Sequence, residues 1–293
     1  MEHQVKDKNF VIASSIVLLV FVYLQTIKPE LYISDRGLLL FLILFFGGIL
    51  QFSTRHAMRG GDVFLRTIPG VKAVEEAVGR STEMGKPVLY VPGIQDMDQV
   101  ETVAGVVILG HVSKMTARYE TPLNVPVARS IVLKAAQEAC KESYLVEGRS
   151  DIYNENMVHY VTDDQFAYAA GVNGIMNREK PAACLYMGKF YAESLLLAET
   201  GNSIGAIQIA GTASQSQIPF FVTACDYTLI GEEFFAASAY LSQKPDLLGI
   251  VKGQDIIKLV MLALIVIGTL IRLLYDLNLI GFNILDFLTL VKV

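Results

Sequence analysis

Three long apolar runs constrain this chain more than any other feature. Phe10–Ile27 and Gly37–Phe52 carry no charge, and Ile256–Leu274 carries only Lys258 and Arg272, near its ends, from where long side chains reach the headgroups. A helix needs about 17–25 apolar residues to span a bilayer. The first and third runs qualify alone, and the second needs its flanks. The last segment, Leu277–Val291, holds Asp286 within a shorter run, and is left open between an interfacial helix, a re-entrant segment and a contact surface. Composition agrees: of 293 residues 53% are hydrophobic and only 18% charged, against about 25% charged in soluble domains.

The division that follows is a transmembrane hairpin over 1–53, an α/β domain over 54–253 and a transmembrane or interfacial segment over 254–293. The first run is longer than the apolar core of a signal peptide and leads into Gln25-Thr26-Ile27-Lys28-Pro29, with no small-residue cleavage pattern, so it reads as an uncleaved anchor. Arg55, Arg59, Arg66 and Lys72 follow the second run, and Lys244, Lys252 and Lys258 precede or open the third. By the positive-inside rule the large domain is expected in the cytoplasm, in a multi-pass protein of the cytoplasmic (inner) membrane. Cys140, Cys184 and Cys225 are odd in number and far apart, which suits buried free thiols better than disulfides or a zinc site.

Between the flanks, short apolar runs alternate with helical patterns. Strands are expected at Val88–Val91, Asn124–Ala128, Val158–Val161, Ala183–Met187, Ala206–Ala210 and Phe220–Ala224. Helices are expected from Asp98 (with Glu101 closing a capping box), from Ser130 as a cap to a stop at Gly148, and over Gln165–Met176, Ala192–Thr200 and Glu232–Leu241. This alternation predicts a Rossmann-like three-layer domain with a mostly parallel sheet, covered on both faces. The Gly211–Pro219 connection is too short for a crossover helix, so one antiparallel strand is expected.

The motifs are weak. Gly201-Asn202-Ser203-Ile204-Gly205 matches the hydrolase elbow G-x-S-x-G, but here a helix precedes and a strand follows, the reverse of what exposes that serine. Gly201 reads instead as a helix stop. Gly79–Lys86 imitates a phosphate loop with one residue too many and Pro87 where Ser or Thr should bind Mg²⁺. No G-x-G-x-x-G occurs, and His3, His56, His111 and His159 lack metal-ligand spacing. His111 reads as a core histidine, and His159 is the better candidate for proton chemistry.

Parallel sheets bind ligands beyond the carboxyl ends of their strands. The residues expected there, as lining of a candidate pocket, are Gly93, Asp163, Lys189, Gly211, Thr212, Ser214 and Asp226. Capping and turn roles account for most of them equally well. Glu232 and Glu233 are explained by the positive end of the last helix. Small residues on one helix side (Ala167, Ala170, Gly171, Gly174; Ala236, Ala239) and helices apolar beyond one stripe favour self-association.

Two stretches, HYVTDDQFAYAAGVNGIM (His159–Met176) and AETGNSIGAIQIAGTA with PFFVTACDYTLIGEEFFAASAYLS (Ala198–Ser242), resemble a family of prokaryotic membrane-anchored proteins known only as a domain of unknown function. The resemblance covers about Gly85 to Asp255. It implies a prokaryotic source and a shared fold, but no activity and no site residues.

The expectation is a non-enzymatic membrane protein whose cytoplasmic domain homo-oligomerises and organises a membrane complex with other subunits. Its partners would be the lipid bilayer, further copies of itself and those subunits. A net charge of −5 gives no reason to expect nucleic-acid binding. The alternative is a membrane-tethered sensor or enzyme binding a nucleotide or other small molecule at the strand ends. A pore is disfavoured, because the first two runs hold no ionisable residue. No metal is indicated, and no cofactor can be named.

Overall fold

The structure is a computed structural model that describes residues 37–60 and 68–277. The expected first span, Phe10–Ile27, and the segment Leu277–Val291 (past its first residue) lie outside the described residues. The chain divides into two compact units, one over 54–251 and one formed by 1–53 with 252–293.

The central unit is α/β. Its elements run α2 (Pro69–Met84), β1 (Val88–Gly93), α3 (Val100–Tyr119), β2 (Leu123–Val127), α4 (Ser130–Val146), β3 (Val158–Tyr160), α5 (Gln165–Glu179), β4 (Ala183–Lys189), α6 (Glu193–Ser203), β5 (Ile207–Thr212), α7 (Ile218–Ala224), β6 (Tyr227–Ile230) and α8 (Glu232–Ser242). The six strands form one sheet in the order β3-β2-β1-β4-β5-β6, with every pair parallel. This is the order of a doubly wound sheet, which reverses direction between β1 and β4.

Period-2 alternation within continuous apolar strands feeds two cores. Val88 and Tyr90 of β1, with Ala183, Leu185 and Met187 of β4, join α2, α3, α4 and α8 on one face. Leu89, Val91, Cys184 and Tyr186 join α5, α6 and α7 on the other. Helix α3 is buried nearly all round because it lies on the sheet between α4 and α8. A methyl at its Gly105 would run into the Met187 carbonyl, so glycine sets how closely the helix approaches β4.

Several local expectations are corrected. Phe220–Ala224 is helical: Pro219 starts α7 and Phe221 is its buried anchor. The sixth strand lies further on, at Tyr227–Ile230, and pairs parallel to β5 from Ile209↔Tyr227 to Thr212↔Ile230. A seven-residue helix within the fourteen residues 213–226 makes a sufficient crossover, so no antiparallel strand forms. The capping box at α3 does not form, because Gln99 is the cap residue and donates its side-chain amide to Asp98. Arg129, not Ser130, precedes α4. The phosphate-loop imitation Gly79–Lys86 forms the end of α2 and its left-handed Gly85 cap.

The flanking unit contains most of α1 (Gly37–Met58) and of α9 (Pro245–Asp276). The two meet where a side chain at Gly253 would touch Leu50 and Ser53. Among the described residues α9 is the helix found long and apolar enough to cross a membrane, and Leu259, Leu262, Ile265, Val266 and Leu270 on it are more than half exposed.

Candidate functional site

In a doubly wound sheet the ligand crevice opens where the strand order reverses, because the crossovers on either side leave in opposite directions. Here that place is the carboxyl end of β1 beside that of β4. The two strands stay paired to Gly93↔Lys189, with a register shift after Val91. The Ile94 amide then donates to the Lys189 carbonyl at 3.1 Å. Gly93 has φ +84°, and a Cβ on it would lie 2.6 Å from the Lys189 oxygen. A Cβ on Gly188 (φ +152°) would strike the Pro92 carbonyl. Two glycines thus let the backbones of β1 and β4 approach closely at their carboxyl ends.

Side chains latch the loops above this close approach. Lys189 Nζ donates to Gln99 Oε1 at 2.8 Å and lies 3.9 Å from Glu101, tying β4 to the start of α3. Arg129 Nε donates to the Ile94 carbonyl at 3.1 Å, tying the start of α4 to the end of β1. Gln165 Nε2 donates to Glu193 Oε2 at 2.7 Å, joining the first turns of α5 and α6. The Ser194 hydroxyl sits 2.8 Å from the Tyr191 carbonyl and 2.7 Å from the Gln217 amide oxygen, joining α6 to the start of α7. Glu193 is fully buried, and burial pushes its carboxyl pKa up against the opposing backbone N–H donors and Gln165.

The candidate residues do not converge on one pocket. Gly93 and Lys189 meet at the last paired rung of β1 and β4. Thr212 is buried and its hydroxyl accepts from the Ser214 amide at 3.2 Å, which makes a local turn. Gly211 packs against Phe234 and Met187. Asp163 is exposed in the loop after β3, four strand positions from β5, or about 19 Å at the usual strand spacing. Its neighbour Asp164 caps α5 by accepting from the Ala167 amide at 2.8 Å. Asp226 departs from expectation altogether: it lies at the amino end of β6, at the opposite edge of the sheet, where its carboxylate accepts from the Gln208 amide at 2.8 Å.

The other motifs resolve in the same way. Ser203 is exposed in the last turn of α6 and donates to the Thr200 carbonyl. Gly201 lies inside that helix, where any side chain would strike Gln208 and the Tyr186 hydroxyl; the left-handed residue past the helix end is Gly205. Burial pushes the His111 and His159 pKa values down, in α3 and β3 respectively. Among the described residues no group of three or more His, Cys, Asp and Glu side chains could hold a metal.

What the carboxyl edge does present is charge and apolar surface. Its loops and first helical turns hold Asp96, Asp98, Glu101, Asp163, Asp164, Glu193, Glu232 and Glu233 against Arg129 and Lys189, and both cations are engaged. Carboxylates at helix N-termini occupy the field that a phosphate would use. Val100, Ile131, Phe166, Tyr191, Phe220 and Ile230 lie exposed along the same edge. Gln99, Gln165, Glu193, Ser194 and Gln217 are the residues sequence reasoning missed. Their signal was positional: each falls at a strand end or within the approach and first turn of the following helix.

Comparison with known proteins returns no match among curated proteins and none among solved structures. A family described only as a domain of unknown function, DUF6754, matches residues 27–281, and so takes in the α/β unit and part of each flank. The chain belongs to the DUF6754 family.

Proposed function

We propose that this protein is a membrane-anchored assembly module and not an enzyme. Its α/β domain lies in the cytoplasm, held by flanking spans at both ends, and homo-oligomerises to organise a membrane complex with other subunits. The observation that carries this reading is the carboxyl edge itself, which exposes Val100, Ile131 and Phe166 while both of its cations, Arg129 and Lys189, are engaged. An edge rimmed with carboxylates whose cations are already engaged is poorly suited to a nucleotide, whereas exposed apolar side chains over a latched base suit a protein partner. Two acidic rims face to face would repel. The contact is therefore heterologous, with the carboxyl edge of one copy against a different face of the next.

The test is the double variant Ile131→Glu with Phe166→Glu in the full-length protein, reconstituted in nanodiscs and weighed by mass photometry. Both side chains are exposed, so the melting temperature should hold while the oligomer falls to smaller species. An unchanged mass distribution would overturn the reading.

A further inference from the structure

We infer that the surface meeting the carboxyl edge is the amino edge of the next copy's α/β domain, so that copies stack head to tail. The inference rests on the assembly reading above and names its second face. In a parallel sheet the crossover helices run against the strands, so helix starts gather at the carboxyl edge and helix ends at the amino edge. At the amino edge β1 and β4 begin side by side: Val88 pairs with Ala183, and the Ala182 amide donates to the Pro87 carbonyl at 3.1 Å. Lys86, Arg178 and Lys180 stand just ahead of these strands, and no ion pair engages any of them among the described residues. Of the nearby carboxylates, Glu179 accepts from the Asn124 side-chain amide at 2.9 and 3.1 Å, and Glu83 is exposed. Two further cations are paired within the edge, Arg118 with Glu147 and Arg149 with Glu120 and Asp151.

Charge and apolar surface match across the two edges. The carboxyl edge offers Asp98, Asp163 and Asp164, all exposed, while its own cations are engaged. The amino edge exposes Met84, Tyr119, Leu145 and Val146 as the carboxyl edge exposes Val100, Ile131 and Phe166. A step along the strand direction sets each element's end over its own start in the next copy. Leu145 and Val146, at the end of α4, then meet Ile131 in its first turn, and Tyr119 of α3 meets Val100. Arg178 and Lys180, at the end of α5, meet Asp163 and Asp164 ahead of it, and Lys86, ahead of β1, meets Asp98 in the loop behind it. Apolar contacts flanked by opposite charges are the usual anatomy of a specific interface. Placement beside a helix C-terminus accounts for Arg178 and Lys180, but not for four exposed apolar side chains on the same edge.

The test is charge reversal in the full-length protein in nanodiscs, weighed by mass photometry. Lys86→Glu with Lys180→Glu turns the amino edge acidic, so the melting temperature should hold while association weakens about tenfold or more. Adding Asp98→Lys with Asp163→Lys to the same chain reverses both edges and should restore the wild-type mass. Leu145→Glu with Val146→Glu, both exposed, serves as a second amino-edge variant should the lysine variant melt early, and should give the same fall. Wild-type mass for the amino-edge variants, while Ile131→Glu with Phe166→Glu disperses the oligomer, would show that the carboxyl edge meets another surface. The inference would then fall and the assembly reading stand. A loss that the reversed carboxyl edge does not restore would show that the basic cluster binds something else, and would overturn the inference too. Dispersal by neither set of variants would overturn the assembly reading itself.

Discussion

Gly93 and Lys189 face each other at the last rung between β1 and β4, and the next amide, that of Ile94, donates to the Lys189 carbonyl at 3.1 Å. In a doubly wound sheet the connections that follow these two strands leave on opposite faces, and a ligand would lie beyond the strand ends. Here the lysine that looked like a pocket residue is turned to Gln99 and Glu101.

The close approach depends on the absence of a side chain at Gly93. Gly93→Ala combines a left-handed φ with a backbone clash, and should cost about 2–4 kcal/mol. Gly85→Ala has a similar φ of +62° but open space around it, and should cost about 1–2 kcal/mol. Urea denaturation of the two variants measures the difference. Equal losses would mean that the close approach at Gly93 contributes nothing.

Glu193 should give stability a specific pH dependence. Its folded pKa lies above the ordinary value of 4.5, so the unfolded state ionises first as pH rises. Its contribution is therefore greatest at and below about pH 4.5 and is lost as pH rises through the folded pKa. Relative to Glu193→Gln, the wild type should gain stability as pH falls from neutral through the carboxylate range. The amide of Gln165 can rotate to pair with the new one, so the variant should fold. Parallel unfolding curves for the two proteins across that range would contradict the assignment.

The three thiols should be inert in the folded protein. Burial holds all of them well above neutral pH. Maleimide at pH 7.5, followed by intact mass, should add little before denaturant and three labels after it. Rapid labelling of Cys225, which is only partly buried, would place it in a more open setting.

Asp226 should act on stability alone. Asp226→Ala removes the acceptor for the Gln208 amide at the amino edge of β5, a charge-assisted bond whose loss costs about 1.5–3 kcal/mol. The melting temperature should fall while the oligomer distribution stays the same. A changed oligomer would bring the β6 end of the amino edge into the assembly.

The parallel α/β class was legible because β1 and most of β4 are continuous apolar runs, which suit a sheet covered on both faces. The sixth strand was misplaced because Phe220–Ala224 has strand-like composition. Pro219 and the single buried Phe221 make it a helix, and that depends on what it packs against. Helix α2 was missed because its glycines and polar residues hide a buried stripe of Val71, Val74, Ala77, Val78 and Ser81. At the candidate site, a strand end is readable from sequence but a register is not. Nothing in Pro92-Gly93 or Gly188-Lys189 alone says that these pairs meet, or that Asp226 lies at the opposite edge.

Native mass spectrometry of the full-length protein in nanodiscs tests the central claim most directly, since it reports subunit number and retained small molecules together. The account predicts one discrete oligomer that carries no nucleotide-sized adduct, before or after incubation with ATP, GTP and NAD. A monomer or dimer retaining such an adduct would mean that the carboxyl edge of the sheet holds a ligand, and would contradict it.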